Sequence, residues 1–286
     1  MSSTEPDVLQ LRRLVLAVSV LEDLDLEPAD DSCVLCAPDR LFVPWDAVRG
    51  AIGPHHPDSR TAHRRLTEWL RLRALVAPPG DRSVLRPAAR ALALPPGHAC
   101  HPGPEWVQER LLGGALECGV GLFGLLDERT VRALPPGIAS TAGVDVAEWW
   151  PQLRRHADDM GFLAVQRLVR DGDSRQRVLR PVGGVDVPTL LVSAALRAHL
   201  SAGDGSGMRS LAVPMRTRGW FDLARIDPAF VGAAWSATPE DDRGLPVPLL
   251  VTADEVQTAP ARGTVLDALR DPVLQDRRWD DVHHWA

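Results

Sequence analysis

The segment 59–74 has the pattern that most restricts what this chain can fold into. At 100° per residue its apolar side chains fall on one side of a helix and four polar side chains fall on nearly the opposite side. The apolar side consists of Ala62, Leu66, Trp69 and Leu70, and the polar side of Arg60, Arg64, Thr67 and Arg71. Ser59 precedes both sets and is a favourable N-cap. The pattern therefore predicts a helix from Arg60 to about Ala74 with one core face and one arginine face.

The neighbouring segments predict a small domain of helices and strands. In chain order they are a helix over 7–24, strands over 33–36 and 41–44, a short helix over 45–52, the helix over 60–74, and strands over 75–77 and 83–86 around a turn. This order resembles a winged-helix domain over residues 7–90. The resemblance implies that the 60–74 helix is a recognition helix, which enters the major groove of DNA.

The charge is unevenly distributed along the chain. The net charge is −6, yet residues 51–92 carry eight arginines against Asp58, Glu68 and Asp81. Such a basic segment can attract a polyanion even when the whole molecule is acidic. All 32 basic residues are arginine, which excludes a catalytic lysine and favours a GC-rich, actinobacterial source.

The basic segment supplies the candidate site for double-stranded DNA. The candidate contacts to phosphates or guanine edges are Arg60, Arg64, Thr67 and Arg71 on the helix and Arg82 and Arg86 on the wing. Two alternatives stay open. The arginines can form an ordinary solvated face, or the domain can bind a protein partner or a second copy without meeting DNA.

A weaker pattern concerns metal. Cys33 and Cys36 together with His98, Cys100 and His101 have the ligand types of a zinc site. The Cys33–Cys36 pair lies within a strand-like apolar run, however, where alternate side chains point to opposite faces. Buried, unreactive cysteine is therefore the favoured interpretation, and we expect no metal and no cofactor.

The sequence contains no familiar catalytic motif and one weak match to a dinucleotide-binding motif. The glycine pattern 119–124 matches GxGxxG but lacks the preceding strand, so close packing explains it better. The segment 203–207 favours a connector over an anion site. We predict no catalytic residues, and an enzyme with an unrecognised site in 105–286 stays the third alternative.

The rest of the chain predicts a second domain. We divide the chain into a winged-helix-like domain over 1–92, a linker over 93–104 and a mixed α/β domain over 105–286. The predicted elements of the last part are helices over 105–117, 146–169, 194–200 and 264–270 and strands over 177–180, 188–192, 209–215 and 247–252.

The sequence favours a non-enzymatic, cytoplasmic regulatory protein that binds DNA through the arginine-rich winged helix and regulates transcription. The apolar run after Arg13 is too short for a membrane span and lacks a cleavage site for export, so we expect no membrane contact. The main alternative is a protein-interaction scaffold, because nine tryptophans suit interaction surfaces.

Overall fold

Helices and antiparallel sheets share the chain in a computed structural model of the protein. The described residues are 7–36, 40–77, 82–126, 128, 130–171, 177–202, 206–221, 226–253 and 256–258. Within them the strands form three antiparallel sheets, and helices pack between and against these sheets. The predicted mixed α/β fold class is confirmed.

The first six elements pack around one apolar cluster. They are α1 (Val8–Glu22), β1 (Leu26–Pro28), β2 (Ser32–Leu35), β3 (Leu41–Pro44), α2 (Trp45–Ile52) and α3 (Arg60–Val76). The strands pair in the order β1-β2-β3. The side chains of α1 that enter the cluster are Leu11, Leu14, Val15 and Val18, which meet buried side chains of α2 and α3 there.

Helix α3 begins where the sequence predicts. The Ser59 side-chain oxygen accepts a hydrogen bond from the Ala62 N–H at 3.1 Å, which satisfies one of the unpaired donors of the first turn. Ala62, Leu66 and Leu70 are fully buried, as the predicted core face requires.

The two strands predicted after this helix are not formed. Leu75 and Val76 belong to the last turn of α3, Arg82–Val84 is a 3₁₀ turn and Leu85–Ala88 is the short helix α4. The apolar residues Leu72 and Val76 continue the helical spacing and enter the main core, where strand geometry would send successive side chains to opposite faces. The described residues therefore contain no wing hairpin after α3, and the winged-helix resemblance stays a prediction.

A four-stranded sheet follows, made of β4 (Ala89–Leu94), β5 (Glu109–Leu111), β6 (Leu116–Phe123) and β7 (Val131–Ala133). Strand β6 pairs with the other three. The helix predicted over 105–117 is wrong, because this stretch holds β5 and the start of β6 and finds its hydrogen bonds in the sheet. The residues predicted as a linker, 93–104, begin with the buried end of β4.

The glycine pattern in β6 serves packing. A Cβ placed at Gly119 would lie 2.4 Å from the Trp106 ring, and one at Gly121 would lie 2.3 Å from Val131. Trp106 lies against the strand and donates its indole N–H to the Val120 carbonyl at 2.7 Å. The glycines thus admit a tryptophan and a neighbouring strand, in agreement with the sequence interpretation.

The third sheet has the order β12-β11-β9-β10-β8. Its strands are β8 (Val178–Leu179), β9 (Met208–Met215), β10 (Arg218–Trp220), β11 (Leu249–Thr252) and β12 (Val256–Thr258). The remaining helices are α5 (Pro136–Ala142), α6 (Val146–Asp171), α7 (Val187–Leu190), α8 (Ala194–Ala202) and α9 (Pro228–Ala237). No helix among the described residues combines the length and the apolar character needed to cross a bilayer.

Most predicted elements of this part are confirmed: α6, α8, β8, β9 and β11 lie within two residues of the expected bounds. The strand predicted over 188–192 is wrong. Asp186 caps the helix α7 by accepting the Thr189 N–H at 3.1 Å, and Pro188 suits the first turn of a helix. The helix predicted over 264–270 lies outside the described residues.

Candidate functional site

The arginine face of α3 is covered in its middle. Arg60, at the start of the helix, is exposed, and Arg71, near its end, is about half exposed and pairs with Glu22 of α1 at 3.1 Å. Between them Thr67 is 5% exposed and donates its hydroxyl to the His63 carbonyl at 3.0 Å. Arg64 forms an ion pair with Asp241 from the opposite end of the chain. Arg64 and Thr67 are thus engaged inside the molecule, and the predicted contacts of this face to nucleic acid stay a prediction.

Charged side chains from two distant segments and from α3 itself surround Arg64. Arg132 of β7 lies 3.5 Å from Glu68 of α3 and 3.8 Å from Asp241. Burial raises the pKa of Glu68, while the nearby guanidinium of Arg132 opposes that rise. The Thr61 hydroxyl donates to Glu240 at 3.1 Å. The segment 240–242 thus binds the polar face of α3 inside the molecule.

The other two predicted nucleic-acid contacts lie after α3. Arg82 is in the 3₁₀ turn and Arg86 is in α4. Arg86 is exposed, and its guanidinium lies over the Trp149 ring at 5.9 Å from the centroid. Neither residue lies on a hairpin, so the wing that would carry them to a DNA backbone is absent from the described part of the chain.

The candidate metal ligands are not brought together. Among the described residues no group of three or more His, Cys, Asp or Glu side chains could hold a metal ion. Cys33 is buried in the N-terminal cluster, and burial raises the pKa of its thiol to about 11. Cys36 follows β2, whereas the two histidines and Cys100 lie in the loop after β4.

Both imidazoles of that loop contact other parts of the protein. The Nδ1 atom of His98 accepts the Cys100 N–H at 3.0 Å, and its Nε2 lies 3.1 Å from the Arg243 carbonyl, which requires a proton on Nε2. His101 accepts the Gly103 N–H at 3.1 Å through Nδ1, and its Nε2 lies 3.0 Å from Glu117. Both nitrogens of His98 are therefore engaged, whereas the buried Nε2 of His101 faces Glu117 without a hydrogen bond.

Arg216 forms a second buried ion pair that the sequence does not indicate. This residue is 3% exposed, and its Nε donates to Asp186 at 2.6 Å. Its other nitrogens donate to the carbonyls of Val131 at 3.0 Å and of Asp241 at 3.2 Å. Arg216 therefore holds the segment that covers α3 against the second and third sheets.

Helix α1 presents the opposite arrangement to α3. Its outward side carries large apolar residues that are well exposed: Leu9 by 59%, Leu16 by 50%, Val20 by 81% and Leu21 by 71%. Together with Ala17 and Arg13 they fall within about 140° of arc on the helix. We call these six residues the outer face of α1. Four of the ten large apolar side chains exposed in the described structure lie on this face.

In the sequence most of the outer face belongs to the apolar run after Arg13, which is too short for a membrane span. An apolar helix surface of this kind needs a second cluster to cover it, and α2 and α3 cover only the side that includes Leu11 and Val18. Helix α1 has more apolar residues than its buried face can accommodate, and this excess indicates a second contact surface.

Other surfaces are less continuous. On α6, Phe162 and Val169 are exposed by 53% and 64%, but Arg155, Asp159, Gln166 and Arg170 lie exposed among them.

A pocket of about 250 Å³ lies between α6 and β8. Its volume is below the roughly 300–1,000 Å³ of most small-molecule sites. The seven tryptophans that the structure describes are buried or half-buried, so they form no tryptophan-rich surface there.

Comparison with known proteins adds no relative. No protein-family model, no curated protein and no solved structure matches this chain.

Proposed function

We propose that this chain is a non-catalytic interaction protein that docks a partner helix on the outer face of α1. The observation that carries the proposal is the exposure of Leu9, Leu16, Val20 and Leu21 on one side of one helix. Contiguous apolar patches on soluble proteins mark contact sites more often than scattered apolar residues do. The regulatory role expected from the sequence would then act through a protein.

The chemistry of this face restricts what can bind it. Its apolar residues recur at helical intervals, with Leu9 and Leu16 seven residues apart and Leu16 and Val20 four apart, which suits the apolar stripe of another helix. Arg13 is its one charged member and makes no ion pair with another described residue. A partner helix should therefore offer apolar side chains together with a carboxylate for Arg13, since a desolvated guanidinium needs an acceptor.

DNA binding through α3 is the less supported candidate. A recognition helix needs several free side chains along one face. On α3 only Arg60 and Arg71 are exposed, and Arg64 and Thr67 between them are engaged inside the molecule. Docking α3 in a groove would first require the 240–242 segment to leave.

A photo-crosslinking experiment in the source cells tests the proposal. We would place a photoreactive amino acid at Val20, and for the control at Gln166, which is exposed on α6. We expect a protein crosslink that depends on the Val20 position. The identified partner, purified, should bind wild type and Phe162→Asp equally and Leu16→Asp at least tenfold more weakly. If position 20 yields no crosslink beyond that of position 166, the proposal is overturned.

A further inference from the structure

We infer that the partner on the outer face of α1 is a second copy of this chain, packed antiparallel along the same helix. This inference rests on the function proposed above and specifies its partner. It follows from the order of residues on α1, from their charges and from the two-fold symmetry that most homodimers obey.

The outward residues follow the spacing of a coiled-coil seam. Leu9, Arg13, Leu16, Val20 and Asp23 are separated by four, three, four and three residues. This alternation is the a/d pattern that keeps one stripe of a helix facing a parallel or antiparallel neighbour. All five are exposed in the single chain. The first four lie on α1, and Asp23 is the C-cap residue directly after it, with a left-handed backbone (φ 54°).

The charges of the stripe on one copy match those on a second copy only when the two helices are antiparallel. An antiparallel pairing centred between Leu16 and Val20 sets Leu16 against Val20 of the second copy, and Arg13 against Asp23 of the second copy. A parallel pairing would set Arg13 against Arg13 and Asp23 against Asp23, which is unfavourable. Neither Arg13 nor Asp23 has a side-chain partner among the described residues, so both are available.

The contact is small, which sets the expected strength. Helix α1 has 15 residues and is about 22 Å long. One pair of such helices covers less than the roughly 800 Å² per partner of a standard interface. We therefore expect a weak dimer that forms in the micromolar range and weakens as salt screens the two Arg13–Asp23 pairs.

Sedimentation of the purified chain over a wide concentration range tests the inference. Wild type should pass from monomer to dimer, and Leu16→Asp and Val20→Asp should each raise the dissociation constant at least tenfold. The matched control Phe162→Asp, on an exposed apolar residue of α6, should leave it unchanged. Circular dichroism melting would show that each variant is folded.

Charge exchange tests the direction of pairing. Arg13→Asp and Asp23→Lys should each weaken the dimer, because each places like charges together. The double variant Arg13→Asp/Asp23→Lys should restore it to within about threefold of wild type. Equal dimerisation of all four proteins would overturn the antiparallel arrangement.

The outcomes separate this inference from the proposed function. A chain that stays monomeric at several hundred micromolar overturns the second copy as partner. If position 20 still crosslinks a different protein that binds in purified form, the interaction function stands. If position 20 crosslinks nothing and the chain is monomeric, both fall.

Discussion

Helices α1 and α3 both pack one face into the N-terminal apolar cluster, and each has a second face outside it. For both helices, the solvent exposure of this second face is the opposite of what its residue types suggest. The second face of α3 is rich in arginine, yet Asp241 binds its middle, where the Arg64 side chain is only 25% exposed. The second face of α1 is apolar, yet Val20 is 81% exposed. A charged face can be internal when acids pair with it, whereas an apolar face without a partner indicates a contact still to be made.

The largest effect should separate the two sides of α1. Leu11 is fully buried, whereas Leu9 is 59% exposed two residues away. We expect Leu11→Ala to lower the free energy of unfolding by about 2–5 kcal/mol, because it leaves a cavity. Leu9→Ala should change it by less than about 0.5 kcal/mol in the monomer. Urea denaturation at low protein concentration measures both, and equal losses would show that the outer face is part of the core.

The next effect concerns His98, in the loop after β4. This side chain contacts Arg243, which follows the segment 240–242 that binds α3. His98 is 8% exposed, and burial, followed by repulsion from Arg216, lowers its pKa to about 3. The unfolded chain binds this proton near pH 6.5, whereas the folded protein binds it only near pH 3, so protonation of the unfolded chain opposes folding below pH 6.5. As the pH falls from about 6.5 towards 3, we expect stability to decline by up to about 1.4 kcal/mol per pH unit through this group.

Matched histidine variants isolate that decline. His98→Gln should flatten the dependence of unfolding free energy on pH between about 6.5 and 4, since glutamine takes up no proton. The control His56→Gln changes a histidine whose side chain is 63% exposed and should keep the wild-type slope. The same slope in all three proteins would exclude His98 as the origin.

The arginines of α3 should differ by a smaller amount. Arg64→Ala removes the nearer of two ion-pair partners of Asp241 and leaves that largely buried carboxylate with Arg132 at 3.8 Å, so we expect a loss of about 1–2 kcal/mol in unfolding free energy. Arg60→Ala, one turn earlier on the same face, should cost less than about 0.5 kcal/mol because Arg60 is exposed. Indistinguishable values by urea denaturation would mean that the arginine face is open after all.

Local signals predicted much of the fold. Ser59 and the spacing of Ala62, Leu66 and Leu70 sufficed to place α3, because an N-cap and a helical stripe act within one element. The strand predicted at 188–192 failed because its apolar run has the composition of a strand, while Asp186 and Pro188 start a helix.

The candidate site could be predicted only in part. The pattern located the arginine face of α3, but the acid that covers Arg64 lies at Asp241, so no local pattern joins them. The buried pair of Arg216 and Asp186 depends on tertiary packing in the same way. The sequence shows the excess of apolar residues in α1. It does not show that the outer face is exposed, because that depends on which side of α1 the helices α2 and α3 cover.

The smallest expected effect is on nucleic acid. With only Arg60 and Arg71 exposed on α3, we expect duplex binding no stronger than the nonspecific range of about 10⁻⁴–10⁻⁶ M at physiological salt. Arg60→Ala should weaken it less than about threefold, and Arg64→Ala should not weaken it at all, since Arg64 is held by Asp241. Fluorescence anisotropy at two salt concentrations measures these values. Tight binding that both variants abolish would require α3 to be uncovered on DNA, and the contrast between the two helices would then describe only the unbound state.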